Sequence, residues 1–122
     1  MLKNKPTVVI GASPSEERYS YKATVRLLEH GHTVYPVGLR AGKIRDLEII
    51  TGRPALQDID TVTLYVGPAN QPAWYDYILS LKPKRLVFNP GAENRELFDL
   101  ALQHHIEPVE ACTLVMLSIG NY

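Results

Sequence analysis

The sequence predicts an α/β fold of three layers, in which helices cover both faces of a doubly wound, mainly parallel five-stranded sheet. Five short runs rich in β-branched and aromatic residues predict the strands, and Gly, Pro, Asn or Asp bounds each run. Stretches with helical periodicity alternate with these runs. This alternation is typical of parallel strands joined by right-handed crossovers, so we expect a ligand at the carboxyl ends of the strands.

The predicted strands cover residues 7–11, 32–37, 61–66, 85–89 and 106–111, with the sequences TVVIG, HTVYPV, TVTLYV, RLVFN and IEPVEA. Their largely apolar composition fits strands that are buried on both faces of a sheet. Residues 38–60 contain the Gly and Pro residues of a loop and leave room for one short extra strand at 47–50. The sequence leaves the shape of this segment open.

Helical periodicity predicts helices at residues 19–31, 70–84 and 92–105. The predicted apolar face of the first helix consists of Tyr21, Val25 and Leu28, with Thr24 and Leu27 beside them. Gly31 follows where a left-handed residue commonly ends a helix. Pro83 ends the second helix, and Pro90 precedes the third.

Length and composition limit the classes of protein. The 122 residues fit one domain, residues 1–122, and the 13 basic residues balance the 13 acidic ones. Neither nucleic acid nor a membrane surface is therefore expected as a partner. Cys112 cannot form an internal disulfide, no apolar run approaches the ~20 residues of a membrane span, and the start MLKNKPTVV lacks a signal-peptide core. We expect a cytoplasmic protein, with a homodimer through the helices at 70–84 and 92–105 left open.

The loop after the first strand has the features of a phosphate site. Gly11 ends that strand and a predicted helix follows, so the backbone N–H groups of the loop and the positive helix end converge. The G-x-G-x-x-G pattern of dinucleotide-binding proteins would place glycines at positions 13 and 16, where this chain has Ser13 and Glu16. Pro14 stiffens the loop, and the usual dinucleotide fit is not indicated.

The end of the second strand carries positive charge. NAD enzymes place an acidic residue there to hold the ribose hydroxyls, whereas this chain has Arg40 and Lys43. Cations at this position fit an adenosine with an extra phosphate on its ribose, as in NADP and coenzyme A. A chain of one domain has no second lobe for a hydride acceptor, which favours coenzyme A over the alternative NADP.

Four segments of the chain resemble a known family. They are VVIGASPSEERYSYKA, HTVYPVG, DTVTLYVGPANQ and VFNPGAENRELFDLA with the later EPVEACTLVML. In order and spacing they are similar to the small stand-alone coenzyme A-binding proteins with a Rossmann-like fold, which are themselves similar to the amino-terminal domain of the succinyl-CoA synthetase α subunit. The likeness covers nearly the whole chain, and it implies a Rossmann-like fold with bound coenzyme A.

The resemblance also implies which residues meet the coenzyme. They are Gly11, Ala12 and Ser13 at the pyrophosphate; Arg18, Tyr19, Ser20 and Lys22 around the phosphates; Val37 and Gly38 at the adenine; Val66, Gly67 and Pro68 beside the start of the pantetheine arm; and Asn89, Pro90, Gly91 and Ala92 further along the cleft. Arg40 is added to these site residues because of its charge at the end of the second strand.

Several of these residues also have structural interpretations. Gly11 could form a tight turn without a ligand, and Ser20 could cap the first helix. Arg18 and Lys22 could be solvated surface residues. The segment NPGAEN could be a Pro-Gly turn that opens a helix.

The cysteine and the histidines lack the neighbouring residues in the sequence that a catalytic or metal site would require. Cys112 has no His placed beside it by a motif, which favours a small buried residue over a nucleophile. His30, His32, His104 and His105 are interpreted as structural, since each pair follows a helix and no third metal ligand is evident. Trp74, Tyr75 and Tyr77 are interpreted as core or subunit-contact residues.

The sequence therefore favours a module that binds coenzyme A or an acyl-CoA and does no chemistry by itself, because no acid, base and nucleophile occur at readable spacing. A small enzyme that acts on an acyl-CoA or uses NADP is the alternative. A protein-interaction domain with an unused pocket is a third possibility.

Overall fold

A computed structural model of the chain describes residues 3–122. Its strands are β1 (Thr7–Ile10), β2 (Val34–Val37), β3 (Lys43–Ile44), β4 (Leu47–Glu48), β5 (Thr61–Leu64), β6 (Arg85–Phe88) and β7 (Glu107–Glu110). Its α-helices are α1 (Tyr19–Glu29), α2 (Tyr75–Leu81), α3 (Arg95–Gln103) and α4 (Thr113–Ile119), and two 3₁₀ turns, Pro68–Asn70 and Pro72–Trp74, precede α2.

The main sheet has the strand order β2-β1-β5-β6-β7, and every neighbouring pair is parallel. The predicted parallel five-stranded sheet is thus confirmed, with each strand four residues long. The chain moves outward from β1 to β2 and then returns to place β5 on the other side of β1. The reversal separates the loops that follow β1 and β5, and this is where a doubly wound sheet opens a crevice.

Alternating residues of the strands face two separate cores. Val8 and Ile10 lie in the core shared with α2 and α3, whereas Val9 lies in the core shared with α1 and α4. The three predicted layers follow from this alternation, because the central strands β1 and β5 bury both of their faces and helices must cover each side.

The packing of α1 differs in detail from the predicted face. Ser20, Ala23, Thr24 and Leu27 are buried, whereas Tyr21, Val25 and Leu28 pack beside them and are only partly buried. Small side chains at the centre of the face let the helix lie close to the sheet. Gly31 has φ +84°, which confirms the predicted left-handed end of this helix.

Two parts of the chain depart from the predicted elements. Residues 38–60 hold an antiparallel hairpin of β3 and β4, so the extra strand expected at 47–50 is present as Leu47–Glu48, and Ile50 forms a parallel bridge with Val37. The helix α4 was not predicted. Its exposed face carries Val115 and Ile119, so its sequence TLVMLSI has no polar face from which to recognise helical periodicity.

The predicted helix at 70–84 begins as 3₁₀ turns and becomes α-helical at Tyr75. The predicted helix at 92–105 begins at Arg95, where the Asn94 side chain caps it by accepting the Glu96 N–H at 3.0 Å. Among residues 3–122, no helix has the length and apolar character required to cross a membrane.

Candidate functional site

A cleft of about 730 Å³ opens at the carboxyl ends of β1, β2 and β5. Its volume falls within the range of roughly 300–1,000 Å³ that is typical of small-molecule sites. The lining residues come from the loop before α1, the first turn of α1, the segment after β2 and the segment after β5. The cleft therefore lies at the switch point of the sheet, as the fold class predicts.

Two glycines let the three strand ends approach one another. Gly11 has φ +96°, and a Cβ on it would lie 2.6 Å from the carbonyl oxygen of Tyr65. A Cβ on Gly38 would overlap the carbonyl oxygen of Ala12. Any larger residue at these positions must push the strand ends apart, so the floor of the cleft requires glycine at both.

The backbone amides of the first loop are only partly free. The N–H groups of Gly11 and Ala12 both donate to the carbonyl oxygen of Val37 at 2.9 Å. The family resemblance implied contacts of these two residues with the pyrophosphate; in the structure their amides bond the loop to β2. The Ser13 N–H makes no hydrogen bond with another part of residues 3–122, so it is the first amide of the loop that a ligand can use.

The loop leads directly into the start of α1. The Ser13 hydroxyl accepts the Ser15 N–H at 3.1 Å, and the Ser15 carbonyl accepts the Arg18 N–H at 3.1 Å. Arg18 occupies the capping position without a side-chain capping bond, so the interpretation of Ser20 as the cap is wrong. Ser20 lies in the first turn because the helix already begins at Tyr19. The helix end faces the cleft and favours an anion there.

The charged residues of the cleft are Arg18, Arg40 and Glu17. None of them forms an ion pair within the described part of the chain. Lys22 and Lys43 do not line the cleft: the Lys22 ammonium lies 5.3 Å from the ring centre of Tyr19, and Lys43 stands opposite a glutamate in the β3–β4 hairpin. The positive charge of the cleft thus comes from α1 and from the segment after β2.

The opposite wall is uncharged and consists of Tyr65, Val66, Gly67, Asn70 and Trp74. Trp74 is only 6% exposed and has the Arg53 guanidinium carbon 4.3 Å from its ring centre. This places Trp74 in both the core and the cleft wall, in addition to the core role predicted for it.

The loop after β6 serves the structure in a way that the sequence did not predict. Asn89 is buried; its amide donates to the Thr63 hydroxyl at 2.7 Å and to the Leu64 carbonyl at 3.0 Å, and its side-chain oxygen accepts the Thr113 N–H at 2.9 Å. All these bonds join β5, β6 and the start of α4. Asn89 therefore links these three elements through buried hydrogen bonds, and it does not line the cleft.

The structure divides the predicted site residues into two sets. Those that line the cleft are Gly11, Ala12, Ser13, Arg18, Tyr19, Ser20, Gly38, Arg40, Val66 and Gly67. Those that do not line it are Lys22, Val37, Pro68, Asn89, Pro90, Gly91 and Ala92. The cleft also includes residues that the sequence analysis did not select, namely Pro14, Glu17, Leu39, Tyr65, Asn70 and Trp74. Tyr65 and Leu39 adjoin selected residues at strand ends, and that adjacency was an available signal.

A family model for the CoA binding domain matches residues 5–118. The chain belongs to the CoA binding domain family. A comparison with curated proteins gives no match.

Several solved structures are similar to this chain. The crystal structure of an uncharacterized protein is 50% identical to this CoA binding domain, covers 99% of this chain and 100% of its own, and has a TM-score of 0.97. A hypothetical protein from Pyrococcus horikoshii OT3 is 25% identical over 96% of this chain and 84% of its own, with a TM-score of 0.83. Prb, the PH1109 protein redesigned for binding, is 22% identical over 98% and 84%, with a TM-score of 0.85, and supports the fold alone.

Tyr65 is the cleft residue of this CoA binding domain whose acidity is most changed. Its phenolic oxygen is buried and has no hydrogen-bond partner within residues 3–122. Burial raises the pKa of Tyr65 far above its ordinary value, so the phenol stays protonated at every physiological pH.

The histidines and Cys112 lie outside the cleft. The Nδ1 atom of His32 accepts the Lys5 N–H at 3.0 Å, and its ring centre lies 5.1 Å from that of Tyr122. Cys112 is half-buried before α4, and its carbonyl accepts the Met116 N–H at 2.9 Å. Across residues 3–122, no three His, Cys, Asp or Glu side chains are grouped to hold a metal ion.

Proposed function

We propose that the protein binds coenzyme A or an acyl-CoA in the cleft at the ends of β1, β2 and β5 and carries out no reaction on it. The observation that carries this proposal is the meeting, in one cleft, of the unbonded Ser13 amide, the start of α1 and the two unpaired arginines. Membership of the CoA binding domain family supports the choice of ligand. Residues 1–122 would then act as a single binding domain.

The pyrophosphate would lie at Ser13 and the first turn of α1. An amide without a partner and the positive end of an eleven-residue helix both favour an anion, and the Arg18 side chain can add a charge-assisted hydrogen bond. Gly11 and Ala12 would support this site through the backbone shape they allow, since their amides already bond to Val37.

The adenosine would lie between the start of α1 and the segment after β2. Tyr19 is 68% exposed and Leu39 is 84% exposed, and both line the cleft. Apolar surface left open at the mouth of a polar cleft gains from being covered by the faces of a purine. Arg40 lines the same part of the cleft and would bind the phosphate on the ribose.

A binding role without catalysis is supported by the chemistry of the lining. Apart from its arginines, the titratable residues that line the cleft are Glu17, Tyr19 and Tyr65. The raised pKa of Tyr65 keeps it a neutral phenol, which makes it a poor base and a poor nucleophile. The cleft as described holds no Cys, His or Lys that could form a covalent intermediate.

Thermal shift with a panel of nucleotides tests the proposal, because a ligand that binds the folded state raises the Tm more as the ratio of its concentration to its Kd increases. Coenzyme A should raise the Tm more than dephospho-coenzyme A, NADP or NAD. An equal rise in Tm with coenzyme A and its dephospho form would contradict the proposed contact between Arg40 and the ribose phosphate. A larger rise with NADP would identify NADP as the better ligand and contradict the proposal. The Ser13→Glu variant should fold and lose the shift, since it puts a negative charge at the phosphate position.

A further inference from the structure

Gln71 joins two loops beside the cleft without lining it. Its residue surface is fully buried, at 0% exposure. Its side-chain Nε2 donates to the Val66 carbonyl at 2.8 Å and to the Ala92 carbonyl at 2.7 Å, and its Oε1 accepts from Asn94 Nδ2 at 2.8 Å. One amide thus ties the segment after β5 to the segment after β6.

The network continues to both helices that follow these loops. Asn94 Nδ2 also donates to the Tyr75 hydroxyl at 2.8 Å, and that hydroxyl donates to Glu96 Oε1 at 2.9 Å. The Gln71 carbonyl accepts the Trp74 N–H at 2.8 Å. The cleft wall from Val66 to Trp74 is therefore held in place from behind by one buried side chain.

This wall is the uncharged part of the cleft. The two arginines that line the cleft lie directly before α1 and after β2, so the proposed positions of the phosphates and the adenosine are on that side. The remaining part of coenzyme A is its pantetheine arm, which is neutral and carries amide groups. A neutral arm fits along Val66, Gly67, Asn70 and Trp74, whose side chains are neutral; the one cation described beside this wall, Arg53, packs on the Trp74 ring and does not line the cleft.

We propose that Gln71 is a positioning residue that fixes the wall for the pantetheine arm, so that it sets the affinity for the arm and leaves the affinity for the nucleotide nearly unchanged. This inference rests on the proposed binding of coenzyme A. The physical reason is that removal of this buried amide leaves the Val66 and Ala92 carbonyls without their donor, while Asn94 keeps its bond to the Tyr75 hydroxyl, and the Val66 and Ala92 loops then relax apart.

Binding of two ligands by three proteins tests this role. The ligands are coenzyme A and adenosine 3′-phosphate 5′-diphosphate, which is coenzyme A without its arm. The proteins are the unmodified chain, Gln71→Leu and the control Thr7→Val. Thr7 is also fully buried, and its hydroxyl bonds to the Lys5 carbonyl and to the Tyr122 hydroxyl, at the end of the sheet away from the cleft.

In titration calorimetry, Gln71→Leu should weaken coenzyme A binding by about tenfold and change the binding of the armless nucleotide by less than about twofold. Thr7→Val should lower the Tm and leave both Kd values unchanged, which separates a general loss of stability from a loss of positioning. Equal weakening of both ligands by Gln71→Leu would overturn the role of Gln71. An unmodified chain that binds neither ligand would overturn the proposed function itself.

Hydrogen exchange on the unmodified chain provides a second measurement if Gln71→Leu does not fold. Coenzyme A should slow the exchange of the Trp74 and Ala92 amides together, since Gln71 joins their loops. The armless nucleotide should leave both amides unchanged. Slowing in only one of the two loops, or equal slowing by both ligands, would contradict the coupling.

Discussion

Gly38 and Ala12 are in direct backbone contact across the floor of the cleft. A Cβ on Gly38 would overlap the Ala12 carbonyl, and the neighbouring Ala12 N–H donates to the Val37 carbonyl at 2.9 Å. The loop after β1 and the start of the segment after β2 are therefore packed together as one unit. The position of the Ser13 amide depends on this contact, because Ser13 follows Ala12 directly.

Gly38→Ala should separate this unit. The added methyl group meets backbone, which cannot rotate away, so we expect a loss of about 1–3 kcal/mol in the free energy of unfolding together with weaker coenzyme A binding. Urea unfolding and calorimetry measure the two effects. Gly52→Ala is the matched control, since nothing lies within 4 Å of its added Cβ, and it should leave both quantities nearly unchanged. Unaltered stability in Gly38→Ala would contradict the contact.

Arg40→Gln should reduce the affinity for coenzyme A by about tenfold, because it removes a charge-assisted hydrogen bond to the ribose phosphate. The affinity for dephospho-coenzyme A should not change, because that ligand has no such phosphate. Lys43→Gln removes the same charge from a residue outside the cleft and should leave both affinities unchanged. A similar effect of Lys43→Gln would mean that long-range charge, and not contact, governs binding.

Asn89→Ala should destabilise the fold by about 3 kcal/mol, because it leaves the Thr63, Leu64 and Thr113 groups without their buried partner. Below the unfolding transition, the Kd for coenzyme A should stay within about twofold of the original value, since Asn89 does not line the cleft. The control Asn121→Ala alters an exposed amide and should keep full stability. A large loss of affinity without a loss of stability would assign Asn89 to the ligand.

His32 should make the fold weaker in mild acid. Burial lowers the pKa of His32 below its ordinary 6.5, and the positive charges of His30, Lys5 and Arg85 act in the same direction while Asp60 opposes them. The unfolded chain then binds the proton more readily than the folded chain. This contribution to stability is complete above about pH 6.5 and decreases as the pH falls from there towards the lowered pKa.

Urea unfolding across this pH range measures the effect. His32→Phe keeps a ring beside Tyr122 and removes the titrating group, so its stability should fall less steeply with decreasing pH. His104→Gln alters an exposed histidine and should keep the original slope. Identical slopes in the unmodified chain and His32→Phe would assign the pH dependence to other groups.

Much of the fold was predictable because the strands are recognisable from their local sequence, as short runs rich in β-branched residues. The runs TVVI and TVTL consist only of β-branched residues and leucine and are buried along their whole length, which a parallel sheet covered by helices on both faces provides. Local chemistry also marked the end of α1, where Gly31 adopts the left-handed conformation that glycine accepts most easily. The helix α4 was missed because its exposed positions carry apolar residues, Val115 and Ile119. Its sequence therefore lacks the periodic change between apolar and polar residues that marks an amphipathic helix.

The sequence alone also determined one side of the site. Gly11 and Ser13, the start of α1 and Arg40 all belong to strand ends and to the segments that directly follow them, and a parallel sheet brings its strand ends together whatever the details of packing.

Only the tertiary structure decided which backbone amides remain free of hydrogen bonds and which loops are linked by buried side chains. The amides of Gly11 and Ala12 donate to the Val37 carbonyl. The side chains of Asn89 and Gln71 form hydrogen bonds with other elements of the chain. A residue type states what a side chain can bond to, but its partners come from strands and loops far away in the sequence. The division between cleft-lining and structural residues therefore follows from the packing of the sheet, where each buried polar group must find a partner.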